Sequence, residues 1–212
     1  ITDMTGSVSA LGVAGLAILL PQALLGPLGG AFADRYSRRL LMILADLISA
    51  ACMAVLILLL LSGNAMPWHV YVMMAVRSAM QAFQEPAAAA STAMLVPRNF
   101  LSRAAGLYQT LDGVMTVGAA PLGALAISLM PIGLALAVDL VTAVLGILPL
   151  LVFPIPRPRA AGSGRSSLRQ ELLEGVDVVW KDPALRQLYG LLSAAVLVIM
   201  PTFTLVPLLV KA

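Results

Sequence analysis

Gly30-Ala-Phe-Ala-Asp34-Arg35-Tyr-Ser-Arg38-Arg39 separates two apolar stretches, each long enough to cross a bilayer. About 20 consecutive apolar residues cross the hydrocarbon core as a helix. The segment is therefore a tight helix–loop–helix junction that holds one acid and three guanidinium groups at a bilayer surface.

Composition agrees with this reading. The chain is 60% hydrophobic and 11% charged, with a mean hydropathy of +0.98. Soluble domains carry about 25% charged residues, so these residues cannot build a water-solvated surface. The sequence predicts an all-α polytopic membrane protein, because a helix satisfies its own backbone hydrogen bonds in lipid. Six spans are expected, over residues 8–32, 40–62, 68–94, 104–129, 132–153 and 187–210. The alternating pattern of a β-barrel is absent. Cys52 is the one cysteine, which excludes an intrachain disulfide. No basic n-region of a cleavable signal precedes the first span.

Charge placement predicts orientation. Arg35, Arg38 and Arg39 fall in the first loop, Arg98 and Arg103 in the third, and six further Lys and Arg in the fifth. The second loop (62–67) and the fourth (130–131) have none. The positive-inside rule then puts the odd loops in the cytoplasm, with residues 1–7 outside. The net charge of +3 follows from this topology, and no nucleic-acid partner is needed to explain it. His69 stands beside Trp68 and Tyr71, where an interfacial role is expected.

Three regions follow. Residues 1–153 hold the first five spans, 154–186 a cytoplasmic linker, and 187–212 one further span. The linker opens with Pro154, Pro156, Pro158 and a Gly/Ser stretch, a flexible composition. Ser166 or Ser167 is then placed to cap an amphipathic helix with Leu168, Leu172, Val176 and Val179 on one face. Asp182-Pro183 should end it.

Gly30-x-x-x-Asp34-Arg35-x-x-Arg38-Arg39 resembles the loop between the second and third helices of major facilitator transporters, with Ser37 where that family usually has Gly. Five spans, a long linker and one more span are similar to helices two to seven of a twelve-helix transporter of that fold. Phe83-Gln-Glu-Pro86-Ala, Leu95-Val-Pro97, Leu101-Ser-Arg-Ala-Ala105-Gly-Leu-Tyr-Gln109, Ala137-Val-Asp139 and Glu174-Gly-Val-Asp177 resemble the macrolide-efflux and enterobactin-exporter-like members. The resemblance implies a secondary active exporter of small amphiphilic molecules such as macrolides, in a bacterial inner membrane. Protons would be the coupling ion, and the partners would be lipid and the remaining transporter helices. It implies neither an enzyme nor a cofactor. A siderophore exporter and a non-transporting receptor or scaffold of the same fold are the alternatives. It also implies that Asp34 locks the bundles together through a helix N-terminus and basic residues, with Arg35, Arg38 and Arg39 as partners.

The residues themselves supply candidates. Gly30 suits a close helix approach. Arg77, Gln81 and Glu85 recur every four residues, with Gln84 beside them, and form a polar stripe on the third span. Arg77 falls about 14 Å into that helix. A charge there costs at least ~2.5 kcal/mol unless it is paired or hydrated. Glu85 lies two turns away, so acids on other helices or water are the expected partners. The stripe reads either as an internal ion-pair network or as a proton and substrate pathway. Pro86 should kink the helix and free a carbonyl that cannot face lipid. Gln109, Asp112 and Thr116 share a face of the next span, and Asp112 is a candidate protonatable site. Asp46 and Asp139 lie near helix ends, where solvation or capping competes with a pathway role. Gly118-Ala-Ala-Pro121-Leu-Gly123 reads as small-residue packing and resembles the exporter motif of the fifth helix, with Gly118 and Pro121 separated by two alanines. The methionines, among them Met53, Met73, Met74, Met80 and Met115, offer a pliable wall for apolar ligands.

An ATP-driven pump is disfavoured, because Gly-x-x-x-x-Gly-Lys-Ser/Thr does not occur. A membrane enzyme would need a nucleophile–base pair or metal cluster at one depth, which one His and one Cys do not provide.

Overall fold

A computed structural model describes residues 8–155, 168–195 and 198. It divides into two units, residues 17–160 on one side of the division and residues 1–16 with 161–212 on the other. The helices are α1 (Val8–Arg35), α2 (Arg38–Leu61), α3 (Pro67–Leu95), α4 (Leu101–Leu129), α5 (Ile132–Val152) and α6 (Leu168–Lys181), with a 3₁₀ turn at Arg98–Phe100 before α4. Every described helix boundary of the first five spans lies within three residues of its expected position.

The punctuation of these helices is chemical. Gly63 takes a positive φ of 71°, which any side chain would resist. It lets Gly63 N–H reach the Leu60 carbonyl (3.2 Å) and Asn64 N–H reach the Leu59 carbonyl (3.0 Å). These paired bonds close the C-terminus of α2. Pro67 then opens α3, at the helical position where a missing N–H costs nothing. His69 Nδ1 accepts from the Met66 N–H at 2.9 Å, so this histidine caps the start of α3.

The unit 17–160 is built on α2, which packs against α3 and α5. Met42, Ala45, Met53 and Leu56 bury one face of α2, spaced as a helical stripe. The buried residues of α3 are small: Ser78, Ala82, Ala87 and Ser91. Lipid removes the hydrophobic drive between apolar helices, so association relies on close van der Waals packing of small residues. Buried Ala33 of α1 joins Met42 and Ala87 in that core.

Pro86 sits inside α3 and leaves the Ala82 carbonyl without its helical donor. That carbonyl is turned toward α1, where a methyl group added at Gly29 would stand 1.9 Å from its oxygen. The close approach expected of Gly30 therefore falls one residue earlier. Gly30 has open space around its Cα, because one residue rotates a helix face by about 100°. Phe32 and Phe83 pack edge to face beside this contact, with centroids 5.6 Å apart. Ser78 Oγ donates to the Ile18 carbonyl from the same face of α3.

Among the described residues four segments have the length and apolarity of membrane spans: Gly12–Arg35, Arg38–Leu61, Arg98–Leu129 and Gly133–Val152. The third expected span is not among them. Helix α3 has 29 residues, about 43 Å at 1.5 Å per residue, which is long enough to cross. Arg77, Gln81, Gln84 and Glu85 make it too polar to count by composition. The expected span 187–210 falls largely outside the described residues, as do residues 1–7, the linker prolines 156 and 158, and the proposed caps Ser166 and Ser167.

In the second unit α6 ends at Lys181, which pairs with Asp177 one turn earlier. Asp182 breaks the helix as expected and starts another over 183–195. Its Oδ1 accepts from the Ala184 N–H at 2.9 Å, and Pro183 takes the first helical position.

The Pro86–Gly29 contact gives a paired prediction. Gly29→Ala must displace the Ala82 backbone and should destabilise the bundle by about 1–3 kcal/mol. Gly30→Ala should leave it unchanged. Thermal unfolding of the detergent-purified protein compares the two.

Candidate functional site

The basic junction gathers helix ends. Arg38, with its side chain only 10% exposed, donates from Nε to the Ala33 carbonyl (3.1 Å) and from Nη1 to the Ala90 carbonyl (2.9 Å). The same Nη1 lies 2.7 Å from Met94 Sδ. Arg39 donates from Nε to the Leu150 carbonyl (2.5 Å) and from Nη2 to the Leu151 carbonyl (2.8 Å). Ala33, Leu150 and Leu151 lie in last turns, whose carbonyls have no helical donor. A guanidinium suits this place, since its rigid fork reaches two carbonyls and its charge meets the negative helix end. Two adjacent arginines at the start of α2 thereby hold the C-terminal ends of α1, α3 and α5.

Asp34 behaves differently. Its side chain is 77% exposed, and its carboxylate lies 3.7 Å from Arg38 in a loose i,i+4 pair. Among the described residues no helix N-terminus meets it. The junction thus separates into half-buried arginines that hold helix ends and an acid that faces outward.

Halfway along the helices a cavity of about 610 Å³ opens between α2, α3, α4 and α5. Arg77, Gln81, Glu85, Asp112 and Asp139 all line it, so candidates from three separate helices meet at one place. Arg77 Nη1 donates to Asp139 Oδ2 (2.5 Å) and Nη2 to Asp139 Oδ1 (3.1 Å). This is the bidentate fork that a planar guanidinium makes with a carboxylate. It supplies the acid on another helix that Arg77 requires. It also assigns Asp139, one of the two acids near helix ends, to the cavity. Both partners keep solvent access through the cavity, with side chains 51% and 36% exposed.

The remaining carboxylates meet amides. Gln81 Nε2 donates to Glu85 Oε1 (2.8 Å) and Gln22 Nε2 approaches Glu85 Oε2 (3.4 Å). Gln84 Nε2 donates to Asp46 Oδ1 (2.7 Å). Asp112 has no hydrogen bond or ion pair among the described residues.

A second space of about 580 Å³ adjoins the first and shares Glu85, Ala88, Tyr108 and Asp112 with it. Gln109 lines this second space. Gly118, Pro121 and Gly123 line neither. A Cβ at Gly123 would meet nothing within 4 Å, and one at Gly118 only Leu122 Cδ1 at 4.0 Å. The packing expected of them is not made among the described residues, because α4 buries none of its length. The methionine wall is also absent from both linings, and Met42 and Met53 pack in the core instead.

Sequence reasoning passed over Gln22, Tyr108 and Thr142 as site residues, and did not expect Gln84 to pair with Asp46. Two signals were available. Gln22 is an amide within an apolar span, which hydrocarbon penalises. Tyr108 stands four residues before Asp112, on the same helical face.

The junction predicts unequal mutants. Arg39→Ala leaves two last-turn carbonyls without their donor. Each bond to a charged group is worth about 1.5–3 kcal/mol, and thermal unfolding in detergent should show a loss of that order. Asp34→Asn removes only the exposed pair and should leave the midpoint unchanged.

A family model described as Major Facilitator Superfamily matches residues 1–212. The chain is 32% identical over 211 residues to Macrolide efflux protein A of Streptococcus pyogenes, covering 99% of this chain and 52% of that protein. It is 32% identical over 192 residues to Macrolide efflux protein A of Enterococcus faecalis, covering 90% of this chain and 59% of that protein. The chain thus spans about half the length of the curated relatives it matches. No solved structure matches it at a significant level. A family match over the whole chain, on a bundle of long apolar helices around a polar cavity, makes this a membrane protein of the Major Facilitator Superfamily.

Proposed function

We propose that the chain contributes one helical bundle, and the linker that follows it, to a secondary active exporter of amphiphilic drugs, with macrolides as the first substrates to test. One observation carries this reading. A water-accessible cavity at mid-helix depth is lined by Asp46, Arg77, Glu85, Asp112 and Asp139, charges that a purely structural membrane bundle would exclude. The relatives named for macrolide efflux support the substrate class.

In this reading the two bundles rock around the cavity, which opens to each side in turn. Protons enter on the cavity carboxylates and drive the cycle. Asp112 is the foremost carrier, since it makes no competing bond among the described residues. Asp34 closes the cytoplasmic end. Its exposed carboxylate is free to meet the opposite bundle, while Arg38 and Arg39 are engaged within their own. The arginine-rich loops face the cytoplasm. A siderophore substrate fits less well, because Asp139 occupies Arg77, the one cation in the lining.

The test is macrolide accumulation in pump-deficient bacteria that express the intact protein. Accumulation should fall, recover with a protonophore, and recover in the Asp34→Asn and Asp112→Asn variants. Unchanged accumulation, with the protein confirmed in the membrane, overturns macrolide export.

A further inference from the structure

The cavity wall carries an unequal count of charges. Asp46, Glu85, Asp112 and Asp139 bring four carboxylates to it and Arg77 one guanidinium. With every group ionised the excess is three negative charges. The amides of Gln84, Gln81 and Gln22 approach Asp46 and Glu85, but a neutral donor does not cancel a charge. The guanidinium is committed to Asp139 through two hydrogen bonds. It is nevertheless not sealed away, since about half of its side chain remains exposed.

We infer that Arg77 sets the charge that the cavity accepts. It is a tethered cation that holds Asp139 and leaves three carboxylates for the ligand, so that the balance between singly and doubly charged organic cations follows the excess charge that Arg77 sets. The inference rests on the cavity being the substrate path proposed above. The ligand class follows from the wall: an apolar body, a positive group for the carboxylates, and a flat surface for the Tyr108 ring, which lines both spaces and favours a cation over its face. Charge is the discriminating quantity, because a point charge acts across several ångströms of low-dielectric cavity whereas shape acts only at contact.

Substitutions then move the excess by known steps. Arg77→Gln raises it to four, and Asp139→Asn lowers it to two. Arg77→Lys and the double variant Arg77→Gln/Asp139→Asn both keep it at three. A merely structural ion pair would follow a different rule, with each single variant losing binding of every ligand alike.

The experiment is fluorescence titration of the purified intact protein with two dyes on one phenanthridinium scaffold, ethidium with one positive charge and propidium with two. Arg77→Gln should shift the ratio of the two Kd values toward propidium by about tenfold, and Asp139→Asn should shift it toward ethidium by a similar factor. Arg77→Lys and the double variant should keep the wild-type ratio. The Asp139→Asn and double variants carry the same test if Arg77→Gln does not fold. Equal weakening of both dyes with an unchanged ratio overturns the inference and leaves the export reading standing. A double variant whose ratio departs from wild type also overturns it. If the wild-type protein binds neither dye, the cavity is not a path for cations, and the export reading loses its site together with this inference.

Discussion

The bidentate pair between Arg77 and Asp139 is the interaction on which the rest of the bundle depends. A guanidinium about 15 Å along a membrane helix is costly in hydrocarbon. It can stay only where an acid and water reach it. Meeting that need fixes several things together. Helix α3 must turn its polar stripe inward, α5 must bring Asp139 to the same depth, and the space between them must remain open. One charge within a membrane helix thereby sets the rotation of α3 and the position of the cavity.

The second constraint acts at the helix ends. Four last-turn carbonyls of every helix need donors from outside the helix. At the basic junction Arg38 and Arg39 supply them to α1 and α5, and Arg38 also reaches the Ala90 carbonyl of α3, so the feature that places positive charge in this loop also fastens the bundle. This divides the labour within a ten-residue segment. The half-buried arginines hold helix ends together, and the Asp34 carboxylate stays exposed.

Much of this was legible in the residues. The apolar runs gave the first five helices to within three residues, and the need of Arg77 for an acid on another helix followed from the cost of its charge. What could not be read were the pairings that involve backbone. Arg38 and Arg39 bind carbonyl oxygens, which every residue carries and which therefore leave no mark in the sequence. The carbonyl freed by Pro86 was expected, but its meeting with Gly29 depends on the rotation of α1, and the neighbouring Gly30 was equally plausible from spacing. Asp139 was placed near a helix end because residue counting ignores the reach of a long arginine. Gly118, Pro121 and Gly123 looked like packing residues, yet α4 turns them to open space.

The central claim is that the polar stripe of α3 faces a water-filled cavity and that the outer faces of α2 and α5 do not. Cysteine accessibility tests it directly. In a Cys52→Ser background of the intact protein, single cysteines would replace the cavity-lining Ser49, Thr142 and Ala143 and the outward-facing Val55, Leu58 and Leu148. Reaction with a water-soluble maleimide in native membranes should label the first three and spare the last three. Labelling of the outer positions with protection of Thr142→Cys and Ala143→Cys would place water on the wrong side of these helices and contradict the account.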